Sequence, residues 1–178
     1  MAAMDEIVAL YDTDGLPCGS APRALVRRDN LHHAATAVVV LDPDGRVYVH
    51  RRTTTKDVYP GMYDVCAGGV LLADEGPYEG AVREVAEELG VSGVPLVPIF
   101  TGAYEDAHTS YEAFGYLVEG WSGEVRWQPE EVAWGGWMAL EEVVARLDDP
   151  DWPLVPDSRA LVGPWLRARA QSPGRHTF

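Results

Sequence analysis

Glu84, Glu87 and Glu88 stand at i, i+3 and i+4. At about 100° per residue they share one face of a helix, with Val82, Val85, Ala86 and Leu89 on nearly the opposite one. Carboxylates at that spacing repel one another, and no Lys or Arg lies between them to offset it. A hard divalent cation such as Mg²⁺, which takes oxygen ligands, would join the cluster and relieve the repulsion. The plain alternative is an amphipathic helix with a solvated acidic side, which a lone Glu-x-x-Glu-Glu does not exclude.

The helix that must position these residues is marked at both ends. Gly76 can serve as N-cap, Pro77 falls at the first helical position, and Glu79 lies in the first turn where the dipole favours an acid. Gly90, just past Leu89, is a C-terminal stop. Glu79 and Arg83 are spaced i, i+4 and can pair along the flank. Gly80 inside the helix costs roughly 1 kcal/mol relative to Ala.

Upstream, residues 7 to 12 read as a short strand entering a Thr-Asp-Gly turn, while 16 to 33 show no regular pattern. Ala35 to Leu41 is a buried-strand pattern, Asp42-Pro-Asp-Gly45 a turn, and Val47 to Arg51 the returning strand. A polar loop follows over 53 to 61, and Tyr63 to Leu72 is extended into the helix. Downstream, 96 to 104 and 111 to 118 form an antiparallel pair, with short strands expected at 125 to 127 and 134 to 138. Leu140 to Leu147 is a helix, and Ser158 to Ala170 another that Gly163-Pro164 kinks or restarts. Residues 171 to 178 read as a frayed tail. Strands bracketing helices in 178 residues indicate one domain of α/β class.

The stretch from Gly69 to Val91 matches the Nudix box: Gly, five residues, Glu, seven residues, Arg-Glu, an aliphatic residue, any residue, Glu-Glu, any residue, Gly and an aliphatic residue. Gly69, Glu75, Arg83, Glu84, Val85, Glu87, Glu88, Gly90 and Val91 fill the fixed positions. The chain therefore resembles the Nudix hydrolase superfamily, directly over the box and more loosely over about 34 to 145. It departs from common members at Asp74, where Gly is usual, and at Gly76-Pro77, where a Ser or Thr cap is usual.

The resemblance implies an α/β/α sandwich with a mixed β-sheet. It also implies a single Nudix domain over 1 to 178, with an N-terminal strand or hairpin extension over about 1 to 33 and a C-terminal helix and tail over about 156 to 178. The implied activity is hydrolysis of a nucleoside diphosphate linked to another moiety, by metal-activated water. Mg²⁺ is the expected cofactor, with Mn²⁺ as a substitute. Glu84 and Glu88 would be the principal ligands, Glu87 a ligand or proton acceptor, and the Gly69 carbonyl a further ligand. Arg83 and Glu75 would orient helix and loop, unless Arg83 only pairs with Glu79. The catalytic base would be a carboxylate on a distal loop, Glu131 or its neighbour Glu130, with Glu105 and Asp106 weaker candidates.

Diphosphate hydrolysis needs neutralised phosphate oxygens, an in-line water and a proton acceptor. In so acidic a chain, Arg51, Arg52 and Lys56 form a cationic patch suited to substrate phosphate, with one of the arginines read as plain surface. Tyr63, Trp127 and Trp134 could stack on a base, although aromatics at strand positions more often pack in a core. Of these, Arg51, Lys56 and Tyr63 are the substrate contacts expected. The histidines, His32, His33, His50 and His108 among them, show no ligand spacing and read as structural or surface residues.

Two other function classes compete. The Pro60-Gly61-to-box layout also resembles isopentenyl-diphosphate isomerase, which uses a catalytic Cys, but that register falls on Gly68 while Cys66 lies two residues short. A noncatalytic ligand-binding Nudix fold would be expected to have lost box carboxylates, and none is lost here. With 28 acidic against 14 basic side chains, the net charge of −14 argues against nucleic acid or an anionic membrane as partner. A small-molecule diphosphate, its phosphates bridged by metal, is compatible with that charge. A homodimer is left open. Cys18 and Cys66 are too few for a disulfide framework, the N-terminus has no signal-peptide pattern, and no apolar stretch is long enough to span a membrane. The expected location is the cytoplasm.

Overall fold

The computed structural model describes residues 5–172. All but the first two residues of the expected tail lie outside them. In chain order the elements are β1 (Ile7–Tyr11), β2 (Pro17–Pro22), α1 (Arg23–Asp29), β3 (His33–Val40), β4 (Val47–Arg52), β5 (Tyr63–Asp64) and α2 (Pro77–Leu89). There follow β6 (Val97–Glu105), β7 (Ser110–Val118), β8 (Val132–Met138), α3 (Leu140–Leu147), α4 (Pro156–Leu161) and α5 (Gly163–Gln171).

A five-stranded sheet runs β2-β1-β3-β7-β6 and a three-stranded one β5-β4-β8. The β3–β7 pairing is parallel and the other ladders antiparallel, so the larger sheet is mixed. The near-continuous apolar run of β3 follows from burial on both faces. Val38 and Val40 pack with Ala81, Val85 and Leu89 of α2, while Val39 joins Leu147 of α3 and Leu166 of α5. That is an α/β/α layering. No helix among the described residues is long and apolar enough to cross a membrane.

Several local expectations are corrected. β3 and β4 do not form a hairpin ladder; they enter different sheets and share only the Leu41–Val47 bridge. Residues 16 to 33 hold β2 and α1, which the sequence hid because β2 is an exposed edge strand bounded by Pro17 and Pro22 and α1 buries only Val26. Residues 125 to 127 form no strand: the Arg126 N–H caps the end of α2 at the Leu89 carbonyl, and Trp127 packs against the α2 core.

α2 has the ends its sequence announces, with Gly76 extended at the N-cap, Pro77 opening the helix and Gly90 left-handed at φ 69°. Gly80 is explained by closeness. A Cβ there would collide with the Leu71 side chain and come within 3.1 Å of Glu75 Oε2. Leu71 belongs to a segment bridged to β3 at Val38–Ala67 and Ala35–Val70 and to β1 at Val8–Leu72. This segment carries Gly68 and Gly69 across the sheet beneath α2.

Candidate active site

One cleft is lined by Glu84, Glu87 and Glu88 of α2, by Gly69, and by Lys56 and Glu131 from two loops. The alternative of a wholly solvated acidic face does not hold: Glu84 and Glu88 turn inward while Glu87 stays exposed at the cleft. Glu88 is only 5% exposed, whereas Val82 on the supposed buried face is 38% exposed. Helical period separates two faces but does not say which neighbour covers each.

Glu88 is held from two sides. The Gly68 N–H donates to Oε2 at 3.0 Å, and His50 Nε2 lies 3.3 Å from Oε1, out of line for a hydrogen bond. Burial works to raise this carboxyl, but His50, Lys56 and the Gly68 N–H hold it below the ordinary glutamate range. Glu84 shows the opposite outcome. Burial, abetted by Glu88 and Glu87 and opposed by Arg83, pushes it up to about 7. A Cβ on Gly69 would sit 2.6 Å from Glu84 Oε1, so only glycine leaves that carboxylate its place.

Arg83 does not pair with Glu79 as the i, i+4 spacing allowed. Its Nε and Nη2 donate to the two oxygens of Glu75 at 2.7 and 2.9 Å, a bidentate fork that ties the preceding loop to the helix. Its Nη1 reaches Glu84 at 2.7 Å and Glu87 at 3.3 Å. The stripe is therefore partly compensated by its own neighbour, contrary to expectation.

Among the described residues no three His, Cys, Asp or Glu side chains converge as an ion-binding set, and Arg83 and the Gly68 N–H engage Glu84 and Glu88. The donor chemistry nevertheless fits a hard divalent cation. The donors are all oxygen, burial keeps Glu84 raised despite its bond from Arg83, and the missing Cβ of Gly69 leaves room beside it. The Gly69 carbonyl accepts from the Thr36 N–H at 2.9 Å, leaving one lone pair for a ligand bond.

Lys56, from the loop after β4, pairs with Glu131, from the turn before β8, across the mouth of the cleft. Glu130, Glu105 and Asp106 do not line it. Arg51 and Tyr63 are placed outside it too. Residues 50 and 51 of β4 face opposite ways, so with His50 turned to Glu88, Arg51 stacks over Tyr63 at 5.8 Å on the outer side. Trp134 joins them there, 47% exposed. Arg52, past a register shift in β4, is the arginine that reaches the cleft.

The far wall holds residues that no local motif announced: His33, Asp64, Tyr111, Asp157 and Ser158. The parallel ladder sets His33 opposite Tyr111, and a bridge from Tyr63 to Leu154 brings Asp64 up to α4. Ser158 Oγ donates to Asp64 Oδ1 at 2.6 Å and Tyr111 Oη to Asp157 Oδ2 at 2.7 Å. The Cys66 thiol is pushed well up by burial and by Asp64. A Cβ on Gly68 would run into the Thr36 carbonyl oxygen, so the isomerase register has no room for a cysteine.

Against known proteins, the family model described as NUDIX domain matches residues 31–158. The chain belongs to the Nudix hydrolases. It is thus an enzyme of diphosphate bonds in nucleoside diphosphate-linked compounds. The Nudix hydrolase orf19 of Rhodococcus erythropolis is 43% identical over 168 residues, which is 89% of this chain and 90% of its own. The Nudix hydrolase YfcD of Escherichia coli K12 is 37% identical over 171 residues, 96% of this chain and 92% of that one. The solved MutT protein of Methanosarcina mazei superposes with a TM-score of 0.66 over 79% of this chain and 96% of its own. At 20% identity that likeness bears on the fold alone.

Proposed function

We propose that this Nudix hydrolase is Mg²⁺-dependent and cleaves the diphosphate of a nucleoside diphosphate linked to a further group. Glu84, Glu87, Glu88 and the Gly69 carbonyl would hold the ion. The observation that carries the reading is that Glu84, Glu87, Glu88 and Gly69 line one cleft, with the Glu84 carboxylate lying where a Cβ on residue 69 would stand. Arg83 offsets only part of the cluster's negative charge, and the cluster's donors are those a hard cation takes. When bound there, the ion supplies charge neutralisation at phosphate oxygens and a more acidic water.

The chain's own groups supply the rest. The Gly68 N–H fixes the direction of Glu88, with His50 close against its other oxygen, and the Glu75–Arg83 fork fixes the helix against its loop. Lys56 offers its ammonium to a phosphate oxygen, which frees Glu131 to take the proton of the attacking water. Release of nucleoside monophosphate or phosphate is measured over nucleoside triphosphates, dinucleotide polyphosphates and nucleotide sugars, in Mg²⁺ and in EDTA. Metal-dependent turnover of at least one class is expected. No turnover on any of them would leave a ligand-binding role ahead.

A further inference from the structure

The far wall of the cleft presents several acceptors, in a cleft that Arg23, Arg27, Arg52 and Lys56 also line and where Arg23 Nε is buried without a partner. Asp64 Oδ1 is satisfied, taking the Val65 N–H at 2.8 Å and Ser158 Oγ at 2.6 Å. Oδ2 has no such partner among the described residues. The nearest cation, Arg52 Nη1, stands 4.0 Å away, too far for a hydrogen bond. That guanidinium is already committed through Nε and Nη2 to the Val58 carbonyl. Asp157 accepts one bond on each oxygen, from the Ser158 N–H at 2.9 Å and from Tyr111 at 2.7 Å, and a carboxylate has capacity for more.

An independent group faces the same space. His33 is 2% exposed and lines the cleft with its ring 5.7 Å from that of Tyr111. Its Nδ1 lies 2.9 Å from the Leu31 carbonyl, which accepts only, so Nδ1 carries the proton. Burial holds the ring neutral, at about 4. Nε2 is therefore a third acceptor, and no residue among those described donates to it. None of these acceptor atoms is both shut off from solvent and unpartnered, so they are open to a donor that enters the cleft.

We propose that this wall is a specificity subsite for a hydrogen-bond-donating group, hydroxyl or ammonium, carried on the substituent next to the diphosphate of the substrate. The proposal rests on the hydrolase reading above. Asp64 stands opposite His50 in the β4–β5 ladder, and His50 Nε2 lies 3.3 Å from Glu88 Oε1, so the wall adjoins the α2 carboxylates within the one cleft. A substituent next to a diphosphate held by those carboxylates would meet it. An apolar substituent such as a prenyl chain would leave the carboxylates and His33 desolvated and unpaired.

The test uses one nucleotide with four ends: cytidine diphosphate esters of ethanolamine, glycerol, choline and butanol. Ethanolamine and glycerol carry donors, choline carries charge without a donor, and butyl carries neither. Affinity is read by calorimetry in EDTA, independently of turnover, and hydrolysis separately in Mg²⁺. At least one donor-bearing ester should bind about tenfold or more tightly than the butyl ester, as expected for a hydrogen bond to a charged group. Ethanolamine against glycerol identifies which donor. Asp157→Asn, nearly isosteric, and His33→Phe should each erase most of that preference.

Equal affinity across the four, choline matching the best donor ester, donor esters too weak to measure, or a preference that survives both substitutions would each overturn the subsite. Hydrolysis without preference would sink the subsite and keep the hydrolase. A tenfold preference without hydrolysis would keep the subsite and sink the metal-dependent reading.

Discussion

Replacing Asp157 with Asn isolates a charge that the fold holds under protest. Burial and the neighbouring Asp64 raise its carboxyl from 3.8 to about 6, against the pull of Tyr111 and the Ser158 N–H. Because the folded value lies above the unfolded one, the folded state binds the proton more tightly. Stability is therefore greatest below about pH 4, drains as pH rises towards 6, and is level above that. At 1.36 kcal/mol per pH unit the drain is about 3 kcal/mol. Asn removes it, but can accept on one side only. With its oxygen towards Tyr111 it loses the bond from the Ser158 N–H, about 1 kcal/mol. The net gain is about 2 kcal/mol above pH 6, and the net loss about 1 kcal/mol at pH 4. For a chain of this length that is a Tm roughly 4–8 °C higher than wild type at pH 7.5 and a few degrees lower at pH 4. Differential scanning calorimetry from pH 4 to 8 on both proteins reads it directly. A Tm difference that does not change with pH, or a variant less stable at pH 7.5, would refute the reasoning.

Glu84→Gln and Glu88→Gln should each lower Mg²⁺-dependent turnover by at least about 10²-fold, the scale of losing one group that handles transition-state charge. Thermal melts in EDTA should separate them: Glu88→Gln loses Tm because its ionised form is favoured by its surroundings, while Glu84→Gln does not. Gly68→Ala should cost about 1–3 kcal/mol in a denaturant titration, since its methyl meets the Thr36 carbonyl oxygen, and a neutral result would mean the segment is not pinned there. Cys66→Ala should keep activity within about threefold, whereas a thiol in proton transfer would make the loss ~10²–10⁴-fold. Isopentenyl diphosphate conversion that vanishes in Cys66→Ala would reverse the choice of reaction class.

Much of the fold was legible where one residue's local preference decided the outcome. Pro77 and Gly90 bound α2, and the apolar run of β3 reports burial on both faces. Gly163-Pro164 does break the last helix, at α4 and α5. What failed depended on partners far along the chain. Arg83 has two acids in reach by sequence, Glu79 on its own helix and Glu75 before it, and only the packing of the loop selects Glu75. Arg51 and Arg52 look alike until strand alternation and the shift in β4 send one outward and one into the cleft. The far wall was unreadable, because His33, Asp64, Tyr111 and Asp157 meet only through the parallel β3–β7 register and the docking of α4.

Arg83 also bears on how such a sequence can drift. One guanidinium serves Glu75, Glu84, Glu87 and the Val70 carbonyl, so every nitrogen of the fork is spoken for. Lys offers a single ammonium and cannot reproduce a bidentate fork. Loss of Glu75 alone would leave the fork without its main acceptor, and loss of Arg83 alone would leave a partly buried acid unpaired. Single-step exchange at either position is thus uphill, and the two sites are epistatic. In a population of descendants this pair should persist together or be replaced together, while the solvent-facing Val82 between the two wanders freely.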